Sequence, residues 1–81
     1  MVNEIHEIYM QKNKAYGNSF GDTYEKLGII SAITRISDKY NRLVNLTTHP
    51  DIDNGDESIR DTCLDMANYL LMTVMEIDKR K

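Results

Sequence analysis

The scarcity of chain breakers constrains this sequence most. Proline occurs once, at Pro50, and the four glycines stand at 17, 21, 28 and 55. That punctuation leaves three uninterrupted stretches, each with apolar residues at helical spacing, and none alternates apolar and polar residues as a strand does. The first runs from about Val2 to Ala15. Asn3 is its expected N-cap, Glu4 and Glu7 lie where the helix dipole favours negative charge, and Val2, Ile5, Ile8 and Tyr9 form the apolar face. Gly17 suits the left-handed position after its end. Residues 17–21 read as a loop, and Asp22 with Glu25 as a capping box. The second stretch runs from about Thr23 to Leu46 as one long helix, with Ile29, Ile33, Ile36, Tyr40 and Leu43 on one face. Gly28 reads as a point of close packing or a bend within it, not a break. Thr47 to Asp56 is a polar connection, with turn residues at Pro50 and Asn54-Gly55. The third stretch, capped by Asp56 or Ser58, runs to about Asp78 and is followed by Lys79, Arg80 and Lys81. The reading is all-α: a single small helical domain over 1–81, with three main helices.

A chain of 81 residues buries only ~60–65% of the surface it exposes when unfolded, so its core needs help. A lone cysteine, Cys63, excludes an internal disulfide. Help is therefore expected from a partner copy, a bound metal, or both. The apolar share of 41% and charged share of 28% fit a globular protein. A net charge of −3 argues against nucleic-acid binding, because no basic excess exists to neutralise phosphates. There is no apolar run of the ~18 residues a membrane span needs. The segment MVNEIHEIYMQK lacks a signal-peptide core, so a cytoplasmic setting is expected.

On the third stretch Ile59, Cys63, Met66, Leu70, Val74 and Ile77 form one apolar stripe, read as ordinary core. The opposite face is apolar in its second half too, through Leu64, Leu71, Met72 and Met75. A helix apolar on two sides is covered on two sides, which points to an oligomer. Traced toward its N-terminus, that second face becomes Asn68, Asp65 and Asp61, with Glu57 one turn further back. Several ionised carboxylates on a covered face repel unless they meet cations, and Mg²⁺ takes carboxylate oxygens readily. On the second stretch Arg35, Asp38 and Arg42 share a side. Asp38 offers a further carboxylate, and the arginines offer bidentate contacts to acids or phosphates. Dipole preference alone accounts for Glu57 and Asp61 but not for Asp65, and a solvated face accounts equally well for Arg35, Asp38 and Arg42.

Before the second stretch, Lys12, Lys14, Tyr16, Asn18, Ser19 and Phe20 gather cations, small polar groups and aromatics, a set suited to a nucleotide. A helix end with lysines and a glycine cap explains everything in that set except Phe20 and the Asn-Ser pair. His6 and His49 have no zinc-site spacing. Cys63 reads as a small buried hydrophobe.

Three blocks, Lys14-Ala15-Tyr16-Gly17-Asn18-Ser19-Phe20, Arg35 to Leu43, and Asp56 to Tyr69, resemble the nucleotide modification associated domain family of phages and bacteria. That family looks related to the MazG-like all-α nucleoside triphosphate pyrophosphatases. The resemblance covers about Lys12 to Glu76. It implies a MazG-like helical fold completed by oligomerisation and a Mg²⁺ (or Mn²⁺) site built from acids on two helices. Asp65 matches the last residue of the relatives' Glu-x-x-Asp pair, while Thr62 stands where its Glu would be. Asp38 is the nearest match on the earlier helix and has Arg35 and Asn41, not Glu, three residues away.

The leading expectation is a Mg²⁺-dependent, nucleotide-binding hydrolase that cuts a nucleoside triphosphate to monophosphate and pyrophosphate. Asp38, Asp61, Asp65 and Glu57 would hold metal, with Glu57 and Asp61 catalytic. Lys14, Arg35 and Arg42 would meet phosphates, and Tyr16, Asn18, Ser19, Phe20 and Asn68 the rest of the nucleotide. The alternatives are a non-catalytic module that sequesters a nucleotide and a helical assembly protein. The expected partners are a nucleotide and a second copy of the chain, with no nucleic acid and no membrane.

Overall fold

A computed structural model describes residues 1–49 and 56–80, with only the backbone described for Tyr16, Asp56 and Glu57. The described residues form four α-helices and no strand: α1 (Val2–Tyr16), α2 (Ser19–Leu27), α3 (Ile29–Thr48) and α4 (Asp56–Lys79). The turn expected at Pro50 and Asn54-Gly55 lies outside them.

The long second helix is in fact two. Gly28 adopts φ 74°, ψ −162°, a conformation essentially confined to glycine, so the helix cannot pass through it. The Gly28 N–H closes α2 on the Tyr24 carbonyl at 2.7 Å, and the Gly28 carbonyl accepts from the Ser31 N–H at 3.1 Å and the Ser31 hydroxyl at 2.8 Å to open α3. The expected loop before it is also shorter. Helix α2 already starts at Ser19, so Asp22 lies in its first turn instead of capping it. Gly21 gives the Asn18 carboxamide room against α2, since a Cβ there would lie 2.6 Å from Asn18 Oδ1. At the first helix, Met1 and not Asn3 holds the N-cap position.

Helix α4 touches all three others. Lys39 pairs with Asp65 and Arg42 with Thr62, so contacts advance along α3 as they retreat along α4, and the two helices are antiparallel. Glu4 pairs with Arg60 and Lys12 with Asp65, so α1 runs in the same sense as α4. Phe20 and Tyr24 of α2 and Ala32 of α3 are buried, with Tyr69 and Met72 of α4 packed against them.

The apolar stripes do not form this core. On α4, Leu70 and Val74 are 49% and 52% exposed, and Cys63 and Ile77 are exposed too. On α3, Ile29, Ile33 and Tyr40 are exposed. The inward face of α4 is the one with Thr62, Asp65, Asn68, Tyr69, Met72 and Glu76. Ion pairs and hydrogen bonds from α1 and α3 draw those helices to the polar side of α4, which leaves the aliphatic sides of α3 and α4 uncovered in one chain. Leu46 and Leu64 are the remaining buried aliphatics among the described residues.

Replacing Gly28 with alanine is expected to lower stability by about 1–3 kcal/mol, because Cβ strains this backbone conformation. Urea denaturation followed by circular dichroism checks this, and an unchanged midpoint would contradict it.

Candidate ligand pocket

The helices enclose a cavity of about 350 Å³, within the ~300–1,000 Å³ range of small-molecule sites. Helix α1 contributes Tyr9, Lys12 and Asn13, which share a face at steps of three and four. Gly17 to Phe20 form a second wall, and Arg35 reaches in from α3. Helix α4 supplies the longest wall: Asp65, Asn68, Tyr69, Met72, Met75, Glu76 and Lys79.

Three aromatic rings pack at its side. Phe20 and Tyr69 are near-parallel at 18° with centroids 6.0 Å apart, and Phe20 and Tyr24 lie 6.5 Å apart. The Arg35 guanidinium sits over the Phe20 ring at 5.5 Å and forms no ion pair with a described acid. Both acids of the lining are already matched. Asp65 Oδ1 takes Lys12 Nζ at 3.1 Å, and Asp65 Oδ2 takes Lys39 Nζ at 3.3 Å. Glu76 is buried and accepts from Lys79 Nζ at 3.0 Å and from Arg80 at 2.9 Å. Hydrogen bonds first from Lys79 and then from Arg80 hold its carboxyl below the usual glutamate range. Arg80 also lies 4.7 Å over the Tyr24 ring, which ties the end of α4 to α2.

Four polar side chains are buried among the described residues. Three are satisfied: Ser31 on the Gly28 carbonyl, Thr62 on the Ser58 carbonyl and Arg42, and Glu76 as above. The fourth is Asn68, whose Nδ2 has no partner.

The pocket thus gathers Asn18, Ser19, Phe20, Arg35 and Asn68 of the expected substrate residues, and Asp65 of the expected metal residues. Lys14 is exposed and does not line it. Arg42 turns instead to Thr62, its Nε donating to the hydroxyl at 3.2 Å. Asp38 and Asp61 are exposed and outside the lining. The side chains of Tyr16 and Glu57 lie outside the described residues. Among the described residues no three His, Cys, Asp or Glu side chains gather where a metal ion could be held. With Asp65 already neutralised by two lysines, and Asp38 and Asp61 exposed outside the pocket, the described part of this donor set does not fit Mg²⁺. Tyr9, Tyr69, Glu76 and Lys79 join the lining although none is among the site residues expected from sequence. The signal was present: Tyr69, Met72, Glu76 and Lys79 continue the Asp65 line toward the C-terminus at helical steps.

The fold and pocket define a small all-helical domain with a concave site lined by cationic, aromatic and amide groups. A family model described as Nucleotide modification associated domain 1 matches residues 12–77, and the chain belongs to that family. No curated protein and no solved structure matches the chain.

Asp65→Asn is expected to destabilise the ligand-free protein by about 1–2 kcal/mol, because it breaks two charge-assisted contacts. Lys39 carries more of that loss than Lys12, whose side chain is more exposed. Metal-free melting decides it; a stabilised variant would mean that Asp65 suffers repulsion instead. Glu76→Gln should likewise lower stability at neutral pH. The folded carboxyl titrates below its unfolded value of 4.5, so its contribution is complete above that value and fades as pH falls through the lower folded one. Melting curves of the two proteins should therefore differ at pH 7 and draw together as pH falls below 4.5.

Proposed function

We propose that this domain binds a nucleotide in the α1–α4 pocket and acts as a homodimer. The observation that carries the binding reading is Arg35: a guanidinium with no described carboxylate partner, lining a cavity and flanked by an aromatic stack. Such a group takes phosphate oxygens in a bidentate fork. Lys12 and Lys79 line the same cavity, and each already shares its charge with an acid that keeps it in place. The family description, nucleotide modification associated, agrees with a nucleotide as ligand.

Calorimetric titration with nucleoside mono- and triphosphates tests this. Arg35→Ala is expected to weaken binding about 10–100-fold, the worth of one charge-assisted contact, with the fold retained. If no nucleotide binds at millimolar concentration, the reading fails. Hydrolysis to monophosphate and pyrophosphate is the second reading. In its favour, Asp61 and Asp65 stand one turn apart on α4. Pyrophosphate release with Mg²⁺ or Mn²⁺ present would establish it, and binding without release would leave a sequestering module.

The dimer rests on exposed surface. A standard interface takes ~800 Å² from each partner. The uncovered aliphatic sides of α3 and α4 supply the apolar part of that area, and a second copy presents the same face by two-fold symmetry. No helix among the described residues is long and apolar enough to cross a membrane, so these faces do not form a span. Ile33→Glu should convert a dimer to a monomer in sedimentation while helical content persists. A wild-type monomer at micromolar concentration would refute the dimer.

A further inference from the structure

Asn68 lies in the middle of α4, 5% exposed, on the wall of the pocket, and its Nδ2 has no partner among the described residues. An amide donor buried without a partner costs about 1–3 kcal/mol. Asparagine is also a poorer helix former than leucine or alanine, so neither packing nor propensity explains it here. Along α4 the other lining residues near it are Tyr69 and Met72 toward the C-terminus and Asp65, already neutralised by two lysines, one turn toward the N-terminus. A phosphate has Arg35 to meet, which pairs with no described carboxylate, whereas Asn68 lies deep in the wall, on the same helix as the Tyr69 ring that could stack on a flat base. We infer that Asn68 reads the exocyclic carbonyl oxygen of a nucleobase, so that the pocket selects nucleotides whose base carries such an oxygen (uracil, thymine, cytosine or guanine) over adenine. A donor this deep is reached best by an oxygen projecting from the ring edge. A ring nitrogen, the only acceptor type on the adenine base, is recessed.

This inference rests on the nucleotide-binding reading, and its test separates the two. Uridine, guanosine and adenosine 5′-monophosphates are titrated into wild-type protein, Asn68→Leu and Asn68→Ser, with inorganic triphosphate as the base-free probe. Wild-type protein should bind the uridine or guanosine nucleotide about tenfold or more tightly than adenosine monophosphate, the worth of one buried hydrogen bond. In both variants that ratio should fall toward one, with affinity for inorganic triphosphate unchanged. Asn68→Leu should melt no lower than wild type, because it removes an orphaned donor. Asn68→Ser keeps the readout should leucine prove too bulky to fold. Binding of nucleotides without base preference, or with a preference that survives both variants, overturns the inference alone. A large stability loss in both variants also overturns it, since Asn68 would then serve the fold. Absence of nucleotide binding to wild type overturns the underlying reading and this inference together.

Discussion

The Asp65 carboxylate holds the arrangement together. One oxygen takes Lys12 of α1 and the other takes Lys39 of α3, so a single side chain on α4 clamps two other helices. Exposed ion pairs contribute little, and Glu4 with Arg60 at the far end of α1 is of that kind. Asp65 differs because it is half-buried and shared. Two cations on one carboxylate lose less side-chain freedom per contact than two separate pairs would. The clamp also shapes the pocket, for Lys12 and Asp65 both line it.

From that clamp follows the inverted distribution of polarity. In most small helical domains the aliphatic stripe faces in. Here α3 turns Ala32, Lys39 and Arg42 to α4, and α4 answers with Asp65, Thr62 and Met72. The aromatic cluster of Phe20, Tyr24 and Tyr69 supplies the core at one end of the cavity, while Ile29, Ile30, Ile33, Leu70, Leu71 and Ile77 stay exposed. Burial of polar groups is tolerated because nearly all find partners within one turn or across one helix pair. Asn68 stands apart from that rule, and the exception falls on a pocket wall. Orphaned polar groups in otherwise satisfied interiors belong at ligand sites, where the missing partner is supplied from outside.

What the sequence by itself determined is the helical class and the existence of two-sided helices. One proline and four glycines cannot interrupt a chain of this length often, and the 3.6-residue spacing is unambiguous over stretches this long. Asn18, Ser19 and Phe20 were legible as candidate site residues because small polar and aromatic groups gather beside lysines, Arg35 because it shares a side with Asp38 and Arg42, and Asp65 and Asn68 because they continue an otherwise apolar face. Only the tertiary structure decided which face of α4 turns inward. The sequence shows two apolar faces, and periodicity alone cannot say which of them the same chain covers. The break at Gly28 was hidden for a similar reason: a glycine is compatible with a helix until its φ is known to be positive. The partners of Asp65 were hidden as well, since Lys12 lies 53 residues away in the chain and nothing in local spacing brings it there. A carboxylate on a covered face must meet a cation, and the chain could meet that need with a metal or with its own lysines. Among the described residues it is met by lysines, a choice that packing between helices makes and spacing along one helix does not.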